Sequence, residues 1–124
     1  MKDKRPVNLD IGTIKLPITA YASISHRVSG VALVVFSFAL LWALDASLAS
    51  RDSFEALTTA LSGLVPRLIV WGICVALLYH SLAGIKHLIM DFGIGETMEG
   101  GVLGARIVFV FTLVGAAALG VALW

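Results

Sequence analysis

Three short groups of residues in this otherwise aliphatic chain carry side chains able to do chemistry. The first is Ser23-Ile24-Ser25-His26-Arg27. Ser23 and Arg27 are four apart, so a helix through them puts a hydroxyl and a guanidinium on one face. That pair can hydrogen-bond a carbonyl oxygen or a carboxylate. Arginine keeps its charge when partly desolvated, which suits stabilising negative charge on a reduced quinone. The same residues also read as an arginine reaching lipid phosphates beside an interfacial histidine. The second group is Tyr79-His80. An imidazole deep in an apolar stretch needs a partner for each ring nitrogen. A haem iron takes one nitrogen while a neighbouring acceptor orients the other. Gly84, one turn away, leaves room for a flat macrocycle on that face. A histidine hydrogen-bonded between two helices meets the same requirement. The third group is Lys86-His87 with Asp91. His87 lies two turns beyond His80 and can reach the rim of anything bound there, where propionates would meet a cation. Alternatively His87, Asp91 and Glu96 relay protons from water. An ordinary solvated helix end has the same composition.

The elements that hold these groups follow from hydropathy. The 124 residues are 59% hydrophobic and 14% charged, against roughly half and a quarter in soluble domains. Three runs lack Asp, Glu, Lys and Arg: 28–44, 68–85 and 107–124. About 18 residues at ~1.5 Å each cover roughly 27 Å, close to the hydrocarbon thickness. Only helices satisfy their backbone in lipid without closing into a barrel. The sequence therefore predicts an all-α membrane protein with three transmembrane helices, at roughly 24–48, 66–89 and 104–124, in a single domain spanning 1–124. Ser50-Arg51-Asp52-Ser53 reads as a polar turn and 54–61 as a short surface helix. Gly63 and Pro66 precede the second span. Gly93, Gly95, Gly100 and Gly101 loosen the connection to the third.

Lys2, Lys4, Arg5, Lys15, Arg27, Lys86 and Arg106 fall at one end of this arrangement, and only Arg51 and Arg67 at the other. The positive-inside rule then puts the N-terminus in the cytoplasm and the C-terminus outside. Trp42, Trp71 and Trp124 all fall towards the outer end, as one interfacial belt. A net charge of +1 gives no basis for nucleic-acid binding. One cysteine, Cys74, excludes an intrachain disulfide framework. No cleavable signal is expected, so the first apolar run itself directs insertion. Cys74, Met90 and Met98 read as packing residues. Gly30, Gly72, Gly84, Gly115 and Gly120 read as close helix contacts.

Three blocks together resemble the cytochrome b556 family of succinate dehydrogenase membrane anchors. They are Arg5-Pro6-Val7-Asn8-Leu9, the run from Ser23 to Gly30 (Ser-x-x-His-Arg-x-Ser-Gly), and the run from His80 through Gly84, Lys86-His87 and Asp91 to Gly93. The resemblance covers nearly the whole chain. It implies a membrane subunit that takes part in electron transfer from succinate to ubiquinone in the respiratory chain and the tricarboxylic acid cycle, in the bacterial inner membrane. Ser23 and Arg27 match quinone-binding positions. His80 matches an axial ligand of haem b. His26, Arg27, Lys86 and His87 match the propionate rim, and Asp91 and Glu96 match a proton entry. The haem would be shared with a second hydrophobic subunit supplying the other axial histidine. An iron–sulfur subunit and a flavoprotein subunit would dock on the cytoplasmic side. This chain has neither a dinucleotide fingerprint nor a cysteine cluster, so it cannot oxidise succinate alone.

Three rival readings stand beside this one. A quinol:fumarate reductase anchor uses the same site in the opposite direction. A haem-free scaffold makes His80 an interhelical hydrogen bond. A small transporter subunit predicts paired charges near the midplane or inverted repeats, and the sequence has neither.

Overall fold

The computed structural model describes residue 7 and residues 9–124. The cations Lys2, Lys4 and Arg5 lie outside the described residues, as does the Arg5-to-Leu9 signature apart from Val7 and Leu9. After a 3-10 turn at Ile11–Thr13 come α1 (Ile18–Ala49), α2 (Arg51–Leu61), α3 (Leu64–Asp91) and α4 (Met98–Leu123). The described residues contain no strand. Helices α1, α3 and α4 are long and apolar enough to cross a bilayer, as the charge-free runs predicted.

All three spans begin earlier than predicted, and the first turns show why. Pro17, extended at φ −69°, precedes α1, and no charge interrupts Ile18–Ala22. The helix therefore starts at Ile18 rather than at 24. Its 32 residues make about 48 Å, more than a ~30 Å hydrocarbon core, so α1 tilts or projects into the headgroups. Helix α4 starts at Met98 rather than at 104. The Thr97 hydroxyl accepts the Gly100 N–H at 3.1 Å, and Glu99 lies in the positive first turn. Helix α2 begins at Arg51 because the Ser50 hydroxyl accepts the Ser53 N–H at 3.0 Å. The Ser53 hydroxyl then donates to the Ala46 carbonyl at 2.6 Å, tying α2 back to α1.

The helix contacts use small residues. Ala22, Ser29, Ala83, Gly101, Ala105 and Val108 are buried, which lets the backbones approach closely. Tyr79 is the one large side chain buried among them, and it joins three helices. Its hydroxyl donates to the Ala22 carbonyl of α1 at 2.8 Å, and its ring stacks on Phe109 of α4 with centroids 5.7 Å apart. Towards the other end, Trp71 Nε1 donates to the Ala116 carbonyl at 2.8 Å, clamping α3 to α4. Between these helices the chain turns through Gly93 (φ +81°) and Gly95 (φ +74°), conformations that glycine adopts without a Cβ penalty. Most large apolar side chains face outward, as lipid solvation allows.

Candidate functional site

Where α1 crosses α3, three imidazoles meet. The His26 and His80 rings stack with centroids 4.1 Å apart and planes 17° apart. His87 lies with its ring centroid 5.1 Å from that of His26. His80 and His87 are seven residues apart on α3, so both point to α1 from one face. Two features of α1 admit them. Gly30 has no side chain where a Cβ would come within 3.0 Å of His80 Cε1. Ser29, one residue earlier, turns a buried hydroxyl towards the same ring.

The hydrogen bonds assign the tautomer of His80. Its Nδ1 lies 3.1 Å from the His26 carbonyl oxygen and 3.0 Å from Ser29 Oγ. A carbonyl only accepts, so Nδ1 carries the hydrogen. The Ser29 hydroxyl spends its own hydrogen on the same His26 carbonyl at 2.8 Å and is left to accept. His80 is thus an Nδ1–H imidazole whose Nε2 lone pair is engaged by nothing among the described residues. An oriented imidazole with a free lone pair is the form that ligates a metal. His87 is fixed in the same way, with Nδ1 2.7 Å from the Ala83 carbonyl. His26 Nε2 is buried without any partner, the one such side-chain atom among the described residues. That orphan is costly unless a bound group meets it. No cluster of three or more His, Cys, Asp or Glu among the described residues is arranged to hold a bare ion.

The other expected residues divide. Ser23 is half-buried and Arg27 exposed, and neither has a hydrogen-bond or ion-pair partner among the described residues. Asp91 and Glu96 are exposed at the end of α3 and in the following connection. The His87–Asp91 pairing allowed by their spacing does not form, because His87 Nδ1 turns back to Ala83. Lys86 is directed at α4. Its stem lies against Gly104, where a Cβ would come within 3.1 Å of Lys86 Cε. Sequence reasoning gave no role to Ser29. The available signal was its spacing, three residues after His26 and next to Gly30, which puts a hydroxyl beside a gap on one helix face.

The family model for the succinate dehydrogenase/fumarate reductase transmembrane subunit matches residues 1–119. A succinate dehydrogenase cytochrome b556 subunit from Coxiella burnetii is 38% identical over the full length of both chains. Its namesake from Paracoccus denitrificans is 33% identical over 79% of this chain and 75% of its own. A succinate dehydrogenase cytochrome b560 subunit from Reclinomonas americana is 29% identical over 92% of this chain and 85% of its own.

Proposed function

The chain belongs to the succinate dehydrogenase/fumarate reductase transmembrane subunit family, and from that premise we propose that it is the cytochrome b anchor of a bacterial succinate:ubiquinone oxidoreductase, binding one side of a haem b and forming part of the quinone-reduction site. The observation that carries the haem reading is the shared hydrogen bond from His80 Nδ1 to the His26 carbonyl and Ser29 Oγ. It leaves Nε2 as the axial donor. The orphaned Nε2 of His26 supports the same reading, since a propionate or a water at its rim would satisfy that atom. Arg27, next in sequence to His26, adds a donor at this end, whereas His87, its Nδ1 hydrogen spent on the Ala83 carbonyl, presents a lone pair. Lys86 is better assigned elsewhere, because its stem is engaged with Gly104. Bound here, haem b would supply a one-electron redox centre within the membrane.

A second ligand to the iron would come from a partner. His26 stacks on His80 at 4.1 Å, leaving no room for a macrocycle between them. His87 projects from the same face of α3 as His80 and cannot reach the opposite side of a ring. A histidine from a second hydrophobic subunit, as the family resemblance implies, would supply it. The iron–sulfur and flavoprotein subunits would dock at the end of the molecule that carries Ser23, Arg27 and the α3–α4 connection.

Quinone reduction requires charge stabilisation and protons. Arg27 offers an unpaired guanidinium to a reduced quinone oxygen, and Ser23, four residues away on the same face, offers a hydroxyl. Asp91 and Glu96 are exposed at the same end and can pass protons from cytoplasmic water. Paired variants of the assembled complex test the two halves of the proposal. His80→Ala should abolish the reduced b-type absorption band while the subunits still co-purify. Arg27→Ala should lower quinone reduction on the order of 100-fold, as loss of a charge-stabilising donor does, with dye-linked succinate oxidation retained. A full b-type band in His80→Ala, or unchanged quinone turnover in Arg27→Ala, would contradict the corresponding half.

A further inference from the structure

On the side of α3 away from the imidazoles, a cavity of about 430 Å³ opens between α3 and α4. Leu82, Ile89, Leu103, Ile107 and Phe111 line it, and Lys86 is its one ionisable residue. At ~100° per residue, Ile89 and Leu82 stand roughly half a turn around the helix from His80. The cavity is therefore separate from the haem and quinone positions proposed above, and nothing in the following argument depends on them.

Two features make this more than a gap between helices. First, its volume falls within the roughly 300–1,000 Å³ typical of small-molecule sites, and its walls are almost wholly apolar. Second, Lys86 is built into it. The lysine stem crosses to α4 and lies over Gly104, with Cε 3.1 Å from where a Cβ would stand. Its ammonium has no carboxylate partner, since the only ion pair among the described residues is Arg51–Glu55 at the far end of the molecule. Lys86 is five residues short of the α3 terminus at Asp91, or ~7 Å along the axis, which puts the charge near headgroup depth.

We propose that this cavity is a binding site for an anionic phospholipid, with its phosphate on Lys86 and an acyl chain between α3 and α4. A free phosphate would leave the apolar walls unfilled, and a neutral acyl chain would leave the ammonium unpaired. An anionic amphiphile satisfies both. Basic pockets between transmembrane helices recognise headgroups in this way.

The test uses the assembled complex, washed in a zwitterionic detergent and reconstituted in nanodiscs of phosphatidylcholine doped with phosphatidylglycerol. Native mass spectrometry then counts retained lipid. The wild type should keep one phosphatidylglycerol per chain in preference to phosphatidylcholine. Lys86→Gln should reduce that retention about fivefold, the effect of one basic residue at an anionic surface, and Lys86→Arg should restore it. Gly104→Leu, which fills the site and displaces the lysine stem, should expel the lipid with Lys86 intact. If Gly104→Leu does not assemble, the Gln and Arg variants decide alone. Equal retention in wild type and Lys86→Gln, retention indifferent to headgroup charge, or a partner subunit's helix seated in the cavity would each overturn the proposal.

Discussion

A half-buried imidazole is defined by which of its nitrogens keeps the hydrogen. In His80 the choice is made by neighbours on another helix: a backbone carbonyl from His26 and a hydroxyl from Ser29, both within 3.1 Å of Nδ1. An acceptor behind a metal-bound imidazole raises its electron donation and favours the higher oxidation state of the metal. Ser29→Ala removes one of the two acceptors and leaves the carbonyl, so haem should stay bound. The expected result is a more positive haem midpoint potential in a redox titration of the assembled complex, with Ser29→Thr moving it back. An unchanged potential at full haem content would reduce Ser29 to a packing residue. Gly30 acts beside it by absence, since any side chain there would crowd His80 Cε1. The ionisable residues were legible in the sequence because charge and imidazole stand out against aliphatic neighbours. Ser29 was not, because a serine reads the same whether it caps, packs or orients a ligand. Its spacing from His26 and Gly30 points to a hydroxyl beside a gap, but its role depends on which residue faces it across the helix pair.

At the scale of the helices, the spans are held by small residues and by a few hydrogen bonds made between, rather than along, the helices. The clamp at the end away from the histidines is Trp71 Nε1 on the Ala116 carbonyl, with the indole also close to Gly120. Interhelical hydrogen bonds in membranes contribute on average ~0.6 kcal/mol and at most ~1.7. Trp71→Phe keeps most of the packing and loses the donor. It should therefore lower the thermal midpoint of the complex by a few degrees at most, leaving the haem spectrum and quinone turnover intact. A large loss of assembly would mean that the indole does more than clamp α4. The three spans were readable from the charge-free runs because lipid admits few alternatives to a long helix. Their first turns were not, since caps such as Ser50 and Thr97 extend a helix into polar sequence that hydropathy alone excludes. The rotational setting of α3 was also hidden. Lys86 reads from the sequence as a haem-edge cation, yet the helix turns it towards Gly104 of α4. Predicting that needs knowledge of which faces of α3 and α4 meet, and their nearly uniform apolar composition does not encode it.

Across the whole molecule, the candidate functional residues are concentrated at one end. Ser23, Arg27, the three histidines, Lys86, Asp91 and Glu96 all lie on the side where α1 begins and α3 ends. Among the described residues, Lys15, Arg27, Lys86 and Arg106 share that end, while Arg51 and Arg67 sit at the other. The positive-inside rule predicts that the crowded end faces the cytoplasm, where protons and soluble redox partners would be needed. Helix α2 should then lie on the outer surface. Its N-terminal turn carries an exposed Arg51–Glu55 pair, worth only ~0.3–0.5 kcal/mol and therefore a sign of solvent contact rather than of stability. Cysteine accessibility tests the orientation directly, because the chain has one cysteine, Cys74, and it can be removed as Cys74→Ser. In that background Thr58→Cys reports from α2 and Phe92→Cys from the opposite end, both at exposed positions. A membrane-impermeant maleimide added to intact cells should label Thr58→Cys and spare Phe92→Cys until the inner membrane is permeabilised. The reverse pattern would put the histidine cluster near the outer face. It would also separate Arg27 and Asp91 from cytoplasmic water, so the proton route through that end could not operate.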